Sequence, residues 1–335
     1  MSRKWHRPRR FESLEIRTAL TVAAEFVNGS LVVSGEADGP VAIVGGAQGG
    51  FTVTDNGAEV GVFSGVTKDL RVNLLSADAN DDVAIDLGGN TIRNFFANLG
   101  GGDNKLSLSN GRIDGALSLR GGAGDDAFSF AADLAVGKQA TVWLGQGDNR
   151  AEIAAQLERG LDLFAGSGDD IVELAEDATI GRGVRAILGD GDNQAAIDGS
   201  IGRDLALLTG SGDDEIAIGE LAVIGRGAVF NLGDGANELT QGGQIGGGLQ
   251  VVGGFGADEV ELTPTSMIGG NVQLRLGEGD NFAMIDGAIG RNLLATSANP
   301  DDLFLIAPTA MIGGGQTPLT PGAQPFRGIP SPIPA

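Results

Sequence analysis

A loop of the form Gly-x-Gly-Asp-Asn/Asp returns every 21 to 23 residues from Gly100 to Asn281, and self-similarity at that period confines a chain to stacked solenoid turns. The copies include Gly100-Gly-Gly-Asp-Asn104, Gly122-Ala-Gly-Asp-Asp126, Gly145-Gln-Gly-Asp-Asn149, Gly166-Ser-Gly-Asp-Asp170, Gly189-Asp-Gly-Asp-Asn193 and Gly210-Ser-Gly-Asp-Asp214. Their last residue alternates. Asn104, Asn149, Asn193, Asn237 and Asn281 interleave with Asp126, Asp170, Asp214, Asp258 and Asp302, so the unit is a double rung of about 44 residues.

A second landmark lies half a turn away, at Ile180-Gly-Arg182, Ile201-Gly-Arg203, Ile224-Gly-Arg226, Ile245-Gly-Gly247, Ile268-Gly-Gly270 and Ile289-Gly-Arg291. Apolar residues alternate in step with both landmarks. After the Arg position come Leu161 and Leu163, Val184 and Ala186, Leu205 and Leu207; after the Asn/Asp position come Phe128 and Phe130, Val172 and Leu174, Ile216 and Ile218. Strands with one buried face require this pattern. The expectation is an all-β, single-chain parallel β-solenoid with two strands and two sharp corners per turn. About ten rungs stacked about 4.8 Å apart form one core, and right-handed coiling follows from the crossover preference. The half-turn from Asp to Arg alternates in length, as in Asp170 to Arg182 against Asn193 to Arg203, so the extra residues should bulge from one edge on alternate rungs.

The chain divides into a basic leader (1–20), blurred capping turns (21–82), the regular solenoid (83–315) and a Pro-rich tail expected to be disordered (316–335). Composition narrows the function classes. With 335 residues, 58 of them Gly, and a net charge of -22, an acidic surface disfavours nucleic acid and anionic membranes and favours cations, basic partners or solubility. There is no Cys and one His, His6, so thiolate sites are excluded and imidazole catalysis nearly so. No apolar run approaches the roughly 20 residues of a membrane span.

The Gly-Asp loop is similar to the nonapeptide Gly-Gly-x-Gly-x-Asp-x-U-x of the RTX calcium-binding proteins, with Gly121-Gly-Ala-Gly-Asp-Asp-Ala-Phe-Ser129 matching throughout. That resemblance implies calcium clamped between neighbouring loops by carboxylates and carbonyls, which suits a hard cation. Its ligands here would be Asp126, Asp170, Asp214, Asp258 and Asp302, with Asp125, Asp169 and Asp213 beside them. The motif occurs once per turn, however, and every second loop has Asn. A metal-free reading stands beside the calcium one. The alternating residue shares the parity of Val172 and Leu174, so it points inward. A column of carboxylates alone would repel by roughly 1 to 4 kcal/mol per neighbouring pair, whereas interleaved Asn amides can donate to Asp oxygens above and below.

The preceding column (Asp103, Asp125, Asp148, Asp169, Asp192, Asp213, Asp280, Asp301) points outward and is broken only by Ala236 and Ala257. At the other edge Lys138, Arg159, Arg182, Arg203, Arg226 and Arg291 form a basic column broken by Gly247 and Gly270. Solubility explains that column, and so does docking of an anionic glycan or of a neighbouring solenoid's acidic edge. In the leader, Leu14-Glu-Ile-Arg-Thr-Ala-Leu20 resembles the LEPR-XLL motif of planctomycete exported or surface proteins, with Ile16 for the family's Pro and Ala19 for a Leu. The resemblance implies export. The expected role is a non-enzymatic, secreted or cell-surface bacterial scaffold or adhesin. The alternative is a polysaccharide lyase or hydrolase on a β-helix, which would need an irregular cleft with paired carboxylates that uniform rungs do not suggest.

Overall fold

The computed structural model describes residues 22–37, 39–76, 79–318 and 327–328. The leader motif at 14–20 and most of the Pro-rich tail lie outside them. Within the described residues the chain winds into a parallel β-solenoid of about ten turns.

Each turn has three strands rather than two. In one coil, Val184–Gly189 belongs to a first sheet, Gln194–Ile197 to a second and Ser200–Ile201 to a third, before Leu205–Thr209 returns to pair in parallel with Val184–Gly189. The third strand is the Ile landmark itself. At two residues it carries one buried side chain, too short to display a period of two. Ile180, Ile201, Ile224, Ile245, Ile268 and Ile289 stack there as one buried file. The sheets hold fourteen, fifteen and eleven strands, and their inward residues form a single hydrophobic core along the axis. One rung has no partner for its apolar face, so each depends on its neighbours.

The three corners follow from local chemistry. The Gly-Asp loop joins the first sheet to the second, and its second Gly always has positive φ, from +91° at Gly102 to +134° at Gly212. A Cβ on Gly212 would also stand 2.2 Å from the Gly191 carbonyl oxygen in the coil before. Backbone torsion and axial stacking therefore each demand Gly. The second and third sheets meet at a corner that lengthens on alternate coils. There, four-residue turns such as Ala175–Ala178 and Gly219–Ala222 close with N–H to carbonyl bonds of 2.8 and 3.1 Å. Those turns hold the extra residues expected from the unequal half-turns. The Gly-Arg corner closes the coil.

Parallel order begins earlier than the sequence pattern indicated. Ser30–Ser34 pairs in parallel with Asp69–Ser76, and Val41–Gly46 with Asp82–Asp86. The pattern is blurred because hairpins interrupt it. Ala23–Val27 runs antiparallel to Ser30–Ser34, and Gly50–Asp55 lies antiparallel to both Val41–Gly46 and Ala58–Phe63. Two of these turns are Asn28-Gly29 and Asn56-Gly57, with all four φ values positive, the two-residue geometry that suits strand twist. The cap is pinned by Asp69, which is 4% exposed and bonds Arg71, Arg93 and Asn94 at 2.9 to 3.0 Å. Burial raises its pKa, but those donors outweigh burial and hold it below the usual value. At the far end Gln316–Pro318 adds to the first sheet beside Leu293–Ala295.

The glycine requirement is testable. Gly212→Ala should cost about 2 kcal/mol or more, because left-handed torsion alone costs roughly 1 to 2 kcal/mol and the added methyl meets backbone. Urea unfolding at neutral pH will check this.

Candidate functional site

The alternating Asn/Asp column is a buried ladder along the corner between the first two sheets. Asn104, Asp126, Asn149, Asp170, Asn193, Asp214, Asn237, Asp258 and Asn281 are each at most 2% exposed, and Asp302 6%. Every backbone N–H of the file, from Asp81 to Asn281, donates to a side-chain oxygen of the next coil at 2.8 to 3.3 Å. The Asn amides donate in one direction only. Each gives one hydrogen to the next coil's Asp at 2.7 to 3.0 Å. Each also bonds the carbonyl of the Gly two residues before it. The expectation of donation both above and below is thus corrected: the second hydrogen closes the Asn's own loop.

The outward acidic column also has a structural task. Its Oδ1 atoms accept N–H bonds from the following coil, as Asp103 does from Asp125, Asp125 from Asp148, Asp148 from Asp169, Asp169 from Asp192 and Asp192 from Asp213, at 2.8 to 3.0 Å. Inner side chains accept from the coil before and outer ones from the coil after. The loops are therefore stitched in both directions. At the Gly-Arg corner Lys138, Arg159, Arg182, Arg203, Arg226 and Arg291 are exposed, and none of them joins an ion pair among the described residues.

The Asn/Asp alternation is locked to a second one that sequence reasoning missed. Five residues before each Asn stands a buried Leu: Leu99, Leu144, Leu188, Leu232 and Leu276. Five before each Asp stands Gly121, Ala165, Thr209, Gly253 or Ser297. A Cβ on Gly121 or Gly253 would lie 2.0 or 1.9 Å from Oδ2 of Asp126 or Asp258. In these Gly-bearing coils the carboxylate turns its second oxygen to the place that Leu fills in the next coil. Ser297 meets that oxygen with a hydroxyl, whereas Oδ2 of Asp170, Asp214 and Asp258 has no partner.

Asp126 Oδ2 accepts the N–H of Gly122 at 2.9 Å, yet burial raises the proton affinity of all four carboxylates. Burial pushes Asp170 up to about 6 against the opposing Asn149 bonds, and raises Asp126, Asp214 and Asp258 in the same way. Asp81 extends the file by one coil. It is 2% exposed, donates its N–H to Asn104, and is pushed up to about 6 by burial and by the charge of Glu36. Its loop, Ala79-Asn-Asp81, lacks the glycines, so only the spacing of 23 residues to Asn104 could have revealed it.

As ligands for calcium the inner carboxylates are poorly aimed. Oδ1 of Asp126, Asp170, Asp214 and Asp258 faces two N–H donors from the preceding coil, and a cation there would meet positive hydrogens. Among the described residues no three Asp, Glu or His side chains converge as a metal group. Asp125, Asp169 and Asp213 sit on the exposed loop rim, each with Oδ1 taken by an N–H of the following coil. No family model, curated protein or solved structure matches this chain. Among the described residues no helix is long and apolar enough to cross a membrane.

Two outcomes follow from the ladder. Asn193→Asp places three carboxylates in consecutive coils and removes the donors to Asp214 and Gly191, so it should destabilise by about 3 kcal/mol or more at pH 7. A neutral or stabilising result in urea unfolding would count against the metal-free ladder. The pH dependence has a definite sign. Asp81 and Asp170 bind protons more tightly folded than unfolded, so their contribution is full below about pH 4 and lost as pH rises towards 6. Thermal melting should accordingly give a higher midpoint at pH 4.5 than at pH 7.5.

Proposed function

We propose that the chain is a non-enzymatic structural or adhesive β-solenoid, exported to the cell surface or beyond. The observation that carries the reading is the uniformity of the stack. From Asn104 to Asn281 each coil repeats the same Gly-bearing corner, with the inner loop amide taken up by the next coil, and no insertion breaks these rungs to build a cleft. Such a body is a stiff spacer with side chains repeating about every 4.8 Å along its edges. The export component rests on the likeness of Leu14–Leu20 to the LEPR-XLL motif. The unpaired Arg column is the surface on which an anionic glycan or another solenoid would dock.

A second reading keeps calcium. It is favoured by the outward file of Asp125, Asp169 and Asp213, whose exposed carboxylates stand on glycine-rich loops with carbonyls nearby. In that case the metal stiffens the rim rather than the inner ladder. Melting in chelator and in millimolar calcium separates the two. A midpoint unchanged within error supports the metal-free scaffold, and a large rise supports calcium. Screening acidic and neutral polysaccharides for turnover tests the lyase or hydrolase alternative. Cleavage abolished by replacing one localised carboxylate would overturn the scaffold reading.

A further inference from the structure

The two edge columns are interrupted in the same two coils. On the acidic edge, Ala236 and Ala257 replace Asp, and Phe255 stands at the loop tip 64% exposed. Its axial neighbours are the exposed Asp234 and Glu278, the latter paired to it by a β-bridge. On the basic edge, Gly247 and Gly270 replace Arg. Their missing side chains open a notch of about 590 Å³, with Val229, Gln250 and Gln273 among its walls, Asp204 at one end and Arg291 at the other. No side chain can be added at either glycine without displacing backbone, because a Cβ on Gly247 or Gly270 would lie 2.8 or 2.7 Å from backbone of the preceding coil.

Knob and notch lie at opposite ends of one strand. Leu249–Gly253 starts beside Gly247 and runs directly into the loop that carries Phe255. The geometry points to a second copy of this chain as the occupant of the notch: Phe255 of one molecule enters the gap at Gly247 and Gly270 of the next, and the flanking acidic and basic columns meet. A shift along the first sheet's strand direction brings the two edges together at the same height. Asp213, Asp234, Glu278 and Asp280 then face Arg203, Arg226 and Arg291, columns of opposite sign with the same axial repeat. Because the joined surfaces differ, the contact is heterologous and repeats into an open row of parallel solenoids. This deepens the scaffold reading by naming its partner. The net charge of -22 opposes association at low salt. At physiological ionic strength, where screening acts beyond about 8 Å, the touching edges are spared most of that loss.

The test uses the intact chain at 0.15 M salt. Sedimentation velocity over a rising protein concentration should show a ladder of dimers, trimers and larger species. Phe255→Asp should weaken it at least roughly thirtyfold, as expected for an anchor residue, and Arg226→Glu should weaken it too. Phe255 is exposed, so the Phe255→Asp melt should match the parent. Since the chain has no cysteine, the pair Phe255→Cys with Gln273→Cys reports the geometry. Within one molecule the two positions are about 16 Å apart by strand rise, beyond disulfide reach. Oxidation should therefore give a covalent multimer ladder from the double variant. Monomer at every concentration, or equal cross-linking of either single variant, would overturn the proposal. Neither result would disturb the reading of a non-enzymatic spacer, which fails only on glycan turnover.

Discussion

The structure depends on the side-chain-to-backbone bond that ties each Gly-Asp loop to the loops beside it. A sharp corner in a solenoid turns its amides along the axis, where no strand partner waits, and a buried unpaired N–H costs about 1 to 3 kcal/mol. Here an inner Asn or Asp oxygen takes one such amide in each coil from the coil before it, and outer Asp oxygens in the regular loops take the adjacent one from the coil after. Loops joined from both sides cannot slip in register. The strands of the first two sheets, held between such corners, inherit that register for the length of the core.

The same bond explains why the repeat is two coils long. An Asn side chain supplies two hydrogens, one to its own loop and one to the next Asp, and sits beneath a Leu. An Asp supplies none and carries a second oxygen that needs room, so a small residue replaces the Leu. Where that residue is Gly, as at Gly121 and Gly253, the oxygen turns directly into the space. Polar pairing and core volume are thus one linked choice, as expected where packing is dense and polar atoms are buried together. Oδ2 of Asp170, Asp214 and Asp258 is left without a donor, and burial of these carboxylates raises their proton affinity.

The outer surface follows from the same regularity. Any residue type that recurs at one position becomes a file about 4.8 Å in repeat, so a few choices per rung produce an acidic rim and a basic rim. Departures then carry the most information. Ala236 and Ala257 on one rim and Gly247 and Gly270 on the other fall in the same coils, where Phe255 projects.

The parallel solenoid, its period, the inward Asn/Asp file and both charged rims were legible in the sequence, because each is a periodic property of single residues. The third strand was hidden in Ile-Gly-Arg, since two residues cannot show alternation. The cap was hidden by hairpins whose Asn-Gly turns were present but lay outside the repeat, and Asp81 by a loop without glycines. What the sequence determined alone was the axis and the file each residue occupies. Only the tertiary structure decided which oxygen meets which hydrogen, why Leu and small residues alternate, and how a knob and a notch share one strand. Those relations join residues of neighbouring coils, or opposite ends of one strand, and pass through shared volume that no single-residue pattern records.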